Sequence, residues 1–388
     1  MKKQIYFSKN NNLNHNSGLL SDFSDKKAGP VLRFHTSLPQ YCPTPLIDLR
    51  NLALHLGTKK IWLKDESKRF DLNAFKVLGA SYAIAKLLAD KLKITAKNLT
   101  FTKILKDLKN LKDLTFVTAT DGNHGRAVAW TACKLGCKSI VYMPEGSSPH
   151  RLRAIQKYAT QASIIDGNYD TAVKTAAEQA EKNNWILIQD TAWPGYELIP
   201  KHIMQGYMTL LKEFMQESAG EIPTHIFVQA GVGSLAAALA AYSAQLFGSS
   251  KPHFSVVEPV NSPCLFESNR KGGLFTIAST GRTMMAGLDC GTPSTSAWGI
   301  LHDHADAFIT CADEITAKGM NILANPLKND QKIISGESGA VTTGLVYEVL
   351  SNPDYKEIAE ELDLGKDAKV LLISTEGNTD PENYKKFV

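Results

Sequence analysis

Apolar residues in this chain come in short blocks whose period alternates. Between residues 115 and 188, four nearly all-apolar stretches (115–119, 139–143, 162–165 and 185–188) are separated by segments of helical period at 126–135, 149–158 and 169–183. A strand that is apolar throughout is buried on both faces, and single helices between such strands make the connections of a parallel sheet. A second set follows a helical segment at 203–216. It has strands at 225–229, 254–259, 307–310 and 370–374, an Ala-rich helix at 234–246 and another helix at 340–350. Upstream, Pro43-Thr44-Pro45-Leu46 makes a rigid turn, 52–56 a short helix and 60–65 a strand. The pattern predicts an α/β protein with two units, the first inserted into the second. Residues 1–40 read as irregular, with an Asn-rich piece at 10–16.

Lys76 breaks this pattern. It heads a run of apolar and small residues, Val77-Leu78-Gly79-Ala80 with Ala83, Ile84, Leu87 and Leu88, that reads as a buried helix with Asn73 as its N-cap. A lysine there either reaches back to water or is kept because its amine does chemistry. Composition narrows the setting. The chain has 388 residues, 43% hydrophobic and 21% charged, as expected of a soluble globular protein with a sizeable core. A net charge of +4 asks for neither nucleic acid nor membrane. No apolar run approaches a bilayer span, and the N-terminus lacks a signal-peptide core. Lysines 86, 91, 93, 97, 103, 106, 109 and 112 read as a solvated face. Cys42, Cys133, Cys137, Cys264, Cys290 and Cys311 have neither redox nor zinc spacing, and read as free thiols in a reducing cytoplasm with no metal site.

Four stretches at strand ends carry candidate chemistry. Gln229-Ala230-Gly231-Val232-Gly233-Ser234-Leu235-Ala236 joins a strand to a helix, and its glycines let backbone N–H groups approach a phosphate. The same spacing fits a GxGxxA dinucleotide turn, with Glu258 at the end of the next strand. Thr120-Asp121-Gly122-Asn123-His124-Gly125 suits a carboxylate, although Asp121 would repel one; helix capping is its alternative role. His124 is either a base or a structural hydrogen-bonder. Asp190-Thr191-Ala192-Trp193-Pro194-Gly195-Tyr196 and Ser374-Thr375-Glu376-Gly377-Asn378-Thr379-Asp380-Pro381 lie where parallel sheets place ligands, or are ordinary turns. A lysine in an apolar setting, with a phosphate cup that lacks the Walker lysine, points to a Schiff base with pyridoxal phosphate.

The motifs resemble a family. Asn73-Ala74-Phe75-Lys76-Val77-Leu78-Gly79-Ala80 is similar to the lysine motif of the β-family (fold type II) pyridoxal-phosphate enzymes. Asp121-Gly122-Asn123-His124-Gly125 resembles their Gly-Asn-His loop, and Ala230-Gly231-Val232-Gly233-Ser234 their phosphate loop. Ser335-Gly336-Glu337-Ser338-Gly339-Ala340 resembles their Glu-Ser-Gly-Ala segment. The resemblance runs in family order from residue 40 to residue 380. It implies two three-layer α/β/α domains with mostly parallel sheets: a large cofactor-binding domain from 1–78 and 206–388, and a smaller one at 79–205. Threonine dehydratases of this family carry a small residue in place of Asp121, and Ser-Gly-Gly-Asn in place of Thr375-Glu376-Gly377-Asn378. These departures, with Gln189-Asp190-Thr191-Ala192-Trp193, resemble the branch that eliminates ammonia from 2,3-diaminopropionate to give pyruvate.

That likeness implies a homodimer with Lys76 as Schiff-base lysine and as base for the L-amino acid. It implies Asp121 as base for the D-amino acid and Asp190 as partner of the β-ammonium group. Gly231, Val232, Gly233, Ser234 and Leu235 would hold the phosphate, Asn123 the ring oxygen and Thr375 the pyridine nitrogen. Thr120, Asp121, Gly122, His124 and Asp190 would line the substrate. The rival readings are a serine/threonine dehydratase of the same fold and a nicotinamide-dependent oxidoreductase using the Gly231–Ala236 turn.

Overall fold

The computed structural model describes residues 3–14, 18–109, 111, 113–278 and 282–388. Residues 15 and 16 of the Asn-rich piece and Lys112 of the lysine run lie outside the described residues. In chain order the strands are β1 (Ile5–Lys9), β2 (Leu46–Asp48), β3 (Lys60–Asp65), β4 (Thr115–Ala119), β5 (Lys138–Met143), β6 (Gln161–Ile164), β7 (Ile186–Leu187), β8 (His225–Gln229), β9 (His253–Pro259), β10 (Ala307–Cys311) and β11 (Lys369–Ser374). The helices are α1 (Asp25–Thr36), α2 (Arg50–Leu56), α3 (Val77–Leu92), α4 (Phe101–Leu108), α5 (Asn123–Leu135), α6 (Pro149–Gln156), α7 (Tyr169–Asn183), α8 (Leu198–Glu217), α9 (Ser234–Phe247), α10 (Cys264–Lys271), α11 (Thr295–His304), α12 (Asp313–Ala324), α13 (Glu337–Ser351), α14 (Lys356–Glu361) and α15 (Pro381–Tyr384).

The chain divides into two compact units. The larger, residues 1–25, 43–68 and 210–388, is built on a sheet of order β1-β10-β9-β8-β11-β3-β2. The inner strands run parallel; β1 and β2, at the two edges, run antiparallel to their neighbours. Side chains alternate across it. Ile61, Leu63, Phe227 and Leu372 share one core with Val341 and Leu345 of α13. Trp62, on the other face of β3, meets Phe214 of α8 edge-on, with ring centroids 5.4 Å apart. Lys64 on that strand is also buried. Its Nζ donates to the Thr44 carbonyl at 2.5 Å and pairs with Glu213 at 3.0 Å.

The smaller unit, 26–42 and 69–209, has the wholly parallel sheet β6-β5-β4-β7. Val117, Ala119 and Ile140 face Ala172, Ala176 and Ala180 of α7. Val141, Met143 and Ala162 face Ala129 of α5 and Ile155 of α6. Helices therefore cover both faces, which makes three layers.

The observed smaller unit departs from 79–205 at both ends and takes in a second segment, 26–42. The cause is packing around the first turn of α3. His35 of α1 links the Thr209 hydroxyl (2.7 Å) to the Leu78 carbonyl (2.9 Å). Gly206 of α8 lies so close to Leu78 and Gly79 that a Cβ would collide with them. Residues 1–40 are also not irregular, since they hold β1 and α1. The strand was hidden because only Ile5 of its five residues is buried, and the helix because it contains Gly29 and Pro30. The lysine run includes α4, whose Phe101, Ile104 and Leu108 are buried while Lys103 and Lys106 are exposed. Helix α8 starts before Pro200, a residue its first turn tolerates because the N–H there has no helical partner.

Helices α12 and α13 cross with their backbones in contact. A Cβ at Gly344 would strike the Ile315 carbonyl, and one at Gly319 the Ala340 carbonyl. Gly344→Ala is therefore expected to cost about 2–3 kcal/mol through overpacking, measured by urea unfolding. A loss below about 0.5 kcal/mol would contradict the close crossing.

Candidate active site

In the smaller unit the chain approaches Lys76 through a strained turn. Phe70, Asp71 and Asn73 have φ of +51°, +57° and +60°, values that cost a non-glycine residue about 1 kcal/mol each. Arg126 of α5 ties the turn down by donating to the Leu72 carbonyl at 3.0 Å. Asn73 is thus not the helix N-cap. The helix starts at Val77 with Lys76 at the boundary, and the Lys76 carbonyl accepts the Ala80 N–H at 3.1 Å.

Lys76 does not point to water in the manner of a surface lysine. Its Nζ donates to Asp190 Oδ2 at 2.5 Å, with the two side chains 22% and 5% exposed. Burial acts to raise the Asp190 pKa. The charge of Lys76, His124 and the hydrogen bond from Lys76 outweigh it and bring the carboxyl down to about 2. Asp190 is held at the end of β7 by Gln189, whose Oε1 accepts from Ala119 N and Thr118 Oγ1, each at 3.0 Å. The Tyr196 hydroxyl accepts the Gln189 N–H at 2.9 Å and donates to the Leu187 carbonyl at 2.9 Å. Trp193 stacks on Tyr196 at 4.4 Å. This is a locked strand end rather than a solvated turn.

His124 stands beside the pair. Its Nε2 lies 2.8 Å from the Ile188 carbonyl and must donate there, since a carbonyl only accepts. Its Nδ1 lies 3.7 Å from Asp190 Oδ2. Burial, aided by Lys76 and opposed by Asp190, lowers the imidazole pKa. His124 is accordingly tied to the strand end as a structural brace. Residues Asn123 to Gly125 belong to the first turn of α5 rather than to a loop. Thr120 is buried, and its Oγ1 accepts the Gly122 N–H at 2.9 Å. Asp121 is not the N-cap of α5, because Gly122 holds that position. Its carboxylate instead meets Arg151 Nη1 of α6 at 3.3 Å.

In the larger unit the stretch 230–233 leads from β8 into α9. Gly233, at φ +99°, precedes Ser234, and no side chain caps this helix. A Cβ on Gly231 would come within 2.9 Å of Cys290 Sγ and 3.2 Å of the Gly287 carbonyl. Val232, Ser234 and Leu235 are buried. Backbone N–H groups at such a helix N-terminus, with the helix dipole, suit an anion. Thr375, buried at the end of β11, accepts from Gln229 Nε2 at 2.9 Å, which leaves its own proton to donate. The Gln229 amide also donates to the Ser338 and Ile373 carbonyls, at 2.8 and 3.0 Å. The 335–340 segment forms the approach to α13 and its first turn. It packs on 374–377 through Gly336 N to the Glu376 carbonyl (2.9 Å) and Ser338 N to Glu376 Oε1 (3.1 Å). Among the described residues Ser338 Oγ is buried without a hydrogen-bond partner, 3.2 Å from where a Cβ of Gly287 would sit.

The dinucleotide reading fails at Glu258. That carboxylate is buried and accepts the Leu265 and Phe266 N–H groups at 2.8 and 2.6 Å, capping α10 instead of meeting a ribose. Burial pushes its pKa up to about 8. The donor set does fit pyridoxal phosphate. The smaller unit supplies a primary amine beside a carboxylate; the larger unit supplies a glycine turn at a helix N-terminus, a neutral hydroxyl with a proton to give and, among the described residues, a serine hydroxyl without a hydrogen-bond partner. The sequence left Arg151 unnoticed, because an arginine on a polar helix carries no local signal of its partner.

A profile described as "Pyridoxal-phosphate dependent enzyme" matches residues 38–376. The diaminopropionate ammonia-lyase of Salmonella typhimurium (strain LT2) is 47% identical over 366 residues, 92% of this chain and 91% of that protein. Two crystal structures of the Escherichia coli diaminopropionate ammonia-lyase each match with a TM-score of 0.92 at 43% identity, covering 99% of this chain and 97% of the other. One is the complex with an aminoacrylate–PLP azomethine reaction intermediate and the other the complex with D-serine.

The Asp190 carboxylate, depressed to about 2, contributes stability that is present above the ordinary carboxylate range and lost as the pH falls toward 2. In cofactor-free Lys76→Ala, burial acts without the lysine's opposing charge. The Asp190 carboxyl is then expected to titrate above about 4 by 13C NMR, and an unmoved midpoint would contradict the pairing.

Proposed function

The chain belongs to the pyridoxal-phosphate-dependent enzymes, in the diaminopropionate ammonia-lyase family, and on that premise we propose that it converts 2,3-diaminopropionate, L and D, with water into pyruvate and two ammonia. The observation that carries this reading is the buried Asp190 carboxylate, 2.5 Å from the Lys76 amine. A substrate whose leaving group is an amine brings a cation that such a carboxylate suits; a hydroxyl leaving group brings none.

When bound, pyridoxal phosphate supplies an aldehyde that captures amines and a ring that spreads the negative charge left at Cα. Lys76 would hold the aldehyde, and its freed amine would be the base for the Cα proton of the L-amino acid. A D-amino acid presents that proton on the other face, and Asp121 is the carboxylate assigned to it. Asp190 keeps the β-amino group protonated so that it leaves as ammonia. Backbone N–H groups of Gly231, Val232, Gly233, Ser234 and Leu235 would hold the phosphate. Thr375 would be a neutral hydroxyl partner for the ring nitrogen, and Asn123 would be the partner of the ring oxygen. Thr120, Gly122 and His124 shape the substrate side. The larger unit is the cofactor-binding domain. By the same carry-over the enzyme is a cytoplasmic homodimer.

Purified protein is expected to release pyruvate from both enantiomers of diaminopropionate about a hundredfold faster, as kcat/KM, than from serine. Comparable rates would make it a serine/threonine dehydratase instead. Lys76→Ala is expected to lose both pyruvate release and the lysine-linked visible absorbance; a variant that keeps that band would remove Lys76 from its role. Asp121→Asn is expected to lower turnover of the D enantiomer by about a hundredfold or more and of the L enantiomer by much less. Equal losses would end the assignment of Asp121 as second base.

A further inference from the structure

Asp121 creates a charge conflict. Residues 120–124 lead into the N-terminus of α5, a place that suits the carboxylate of an amino acid, yet Asp121 puts a like charge there. Arg151 answers it. Its Nη1 lies 3.3 Å from Asp121 Oδ2, with the two side chains 13% and 33% exposed. The stem of Arg151 lies along Gly122, where an added Cβ would come within 3.1 Å of its Cδ and 3.6 Å of its Cγ. The missing side chain at Gly122 thus opens the path by which the guanidinium reaches Asp121. Helix α6 carries Arg151 and Arg153 and no acidic residue.

We propose that Arg151 is a positioning residue of the elimination. It cancels the charge of Asp121 so that a substrate carboxylate can dock at residues 120–124, and its planar head fixes the direction of the Asp121 carboxylate. The inference rests on the function proposed above. It adds that tolerance of an acid in this stretch depends on a second residue some thirty positions away, as the spacing of the pair gives.

Steady-state kinetics on the holoenzyme with L-2,3-diaminopropionate, whose proton is not assigned to Asp121, separates this role from a merely structural one. Arg151→Gln is expected to raise KM about tenfold with kcat within about threefold. In the Asp121→Asn background the same substitution is expected to leave KM within about twofold of Asp121→Asn alone, because no uncompensated charge remains. Arg151→Lys keeps the charge but loses the fork. It is expected to hold the L-substrate KM near wild type while lowering turnover of the D enantiomer. A KM rise that persists undiminished in the Asp121→Asn background overturns the proposal, as does no rise in a folded, cofactor-loaded Arg151→Gln. Should Arg151→Gln not fold, Arg151→Lys decides: a loss confined to the D enantiomer supports the proposal, and equal losses on both overturn it. Wild-type protein releasing no pyruvate from diaminopropionate is a different result, which defeats the function itself.

Discussion

Lys76 and Asp190 place opposite charges 2.5 Å apart, with the carboxylate almost wholly out of water. The carboxylate's charge is not stable there alone. Burial disfavours the ionised carboxyl, and the amine's attraction reverses that preference. Much of the smaller unit is arranged to keep this pair in place. The left-handed residues before Lys76 turn the chain so that α3 begins one residue after it. Gln189 and Tyr196 lock the strand end that carries Asp190. His124 is tied to the Ile188 carbonyl, and burial lowers its pKa.

The larger unit deals with charge by other means. Its anion cup uses the N–H groups and dipole of an uncapped helix, and the loop itself carries no cationic side chain. Close approach is what the glycines provide: Gly231 lies against Cys290 and Gly287, and Gly233 adopts a left-handed turn. Around the cup, polar side chains are spent on backbone. Glu258 caps α10, while Gln229 ties β8 to the Ser338 and Ile373 carbonyls and to Thr375. Among the described residues, the Thr375 proton and the Ser338 hydroxyl are neutral groups left there.

The strands 60–65, 115–119 and 225–229 and the helix 169–183 were legible to the residue, because each is a strongly periodic block between clear turns. The glycine turn and the Lys76 stretch were legible because their residue types are costly or odd where they stand. What escaped is set by distant partners. Strand β1 becomes a strand by pairing with β10, since one buried residue in five gives little pattern. Asn73 has the composition of a cap, but tertiary packing uses it in a left-handed turn. Asp121 was readable as odd. Its partner Arg151 was not, because the two meet only once α6 has packed on α5 and β6.

The depressed pKa of Asp190 bears on which leaving group the proposed reaction accepts. A carboxyl brought down to about 2 is a poor proton donor at neutral pH. A β-hydroxyl needs an acid to leave as water, and Asp190 in this state cannot serve as one. A β-ammonium group arrives with its proton and needs only a counter-ion that keeps it charged until the bond to carbon breaks. Under the proposed function, the substrate's β-ammonium takes the place beside Asp190 that the Lys76 amine occupies here, and its charge keeps the carboxyl ionised. Discrimination between amine and hydroxyl then follows from the charge that the substrate itself brings to one buried carboxylate.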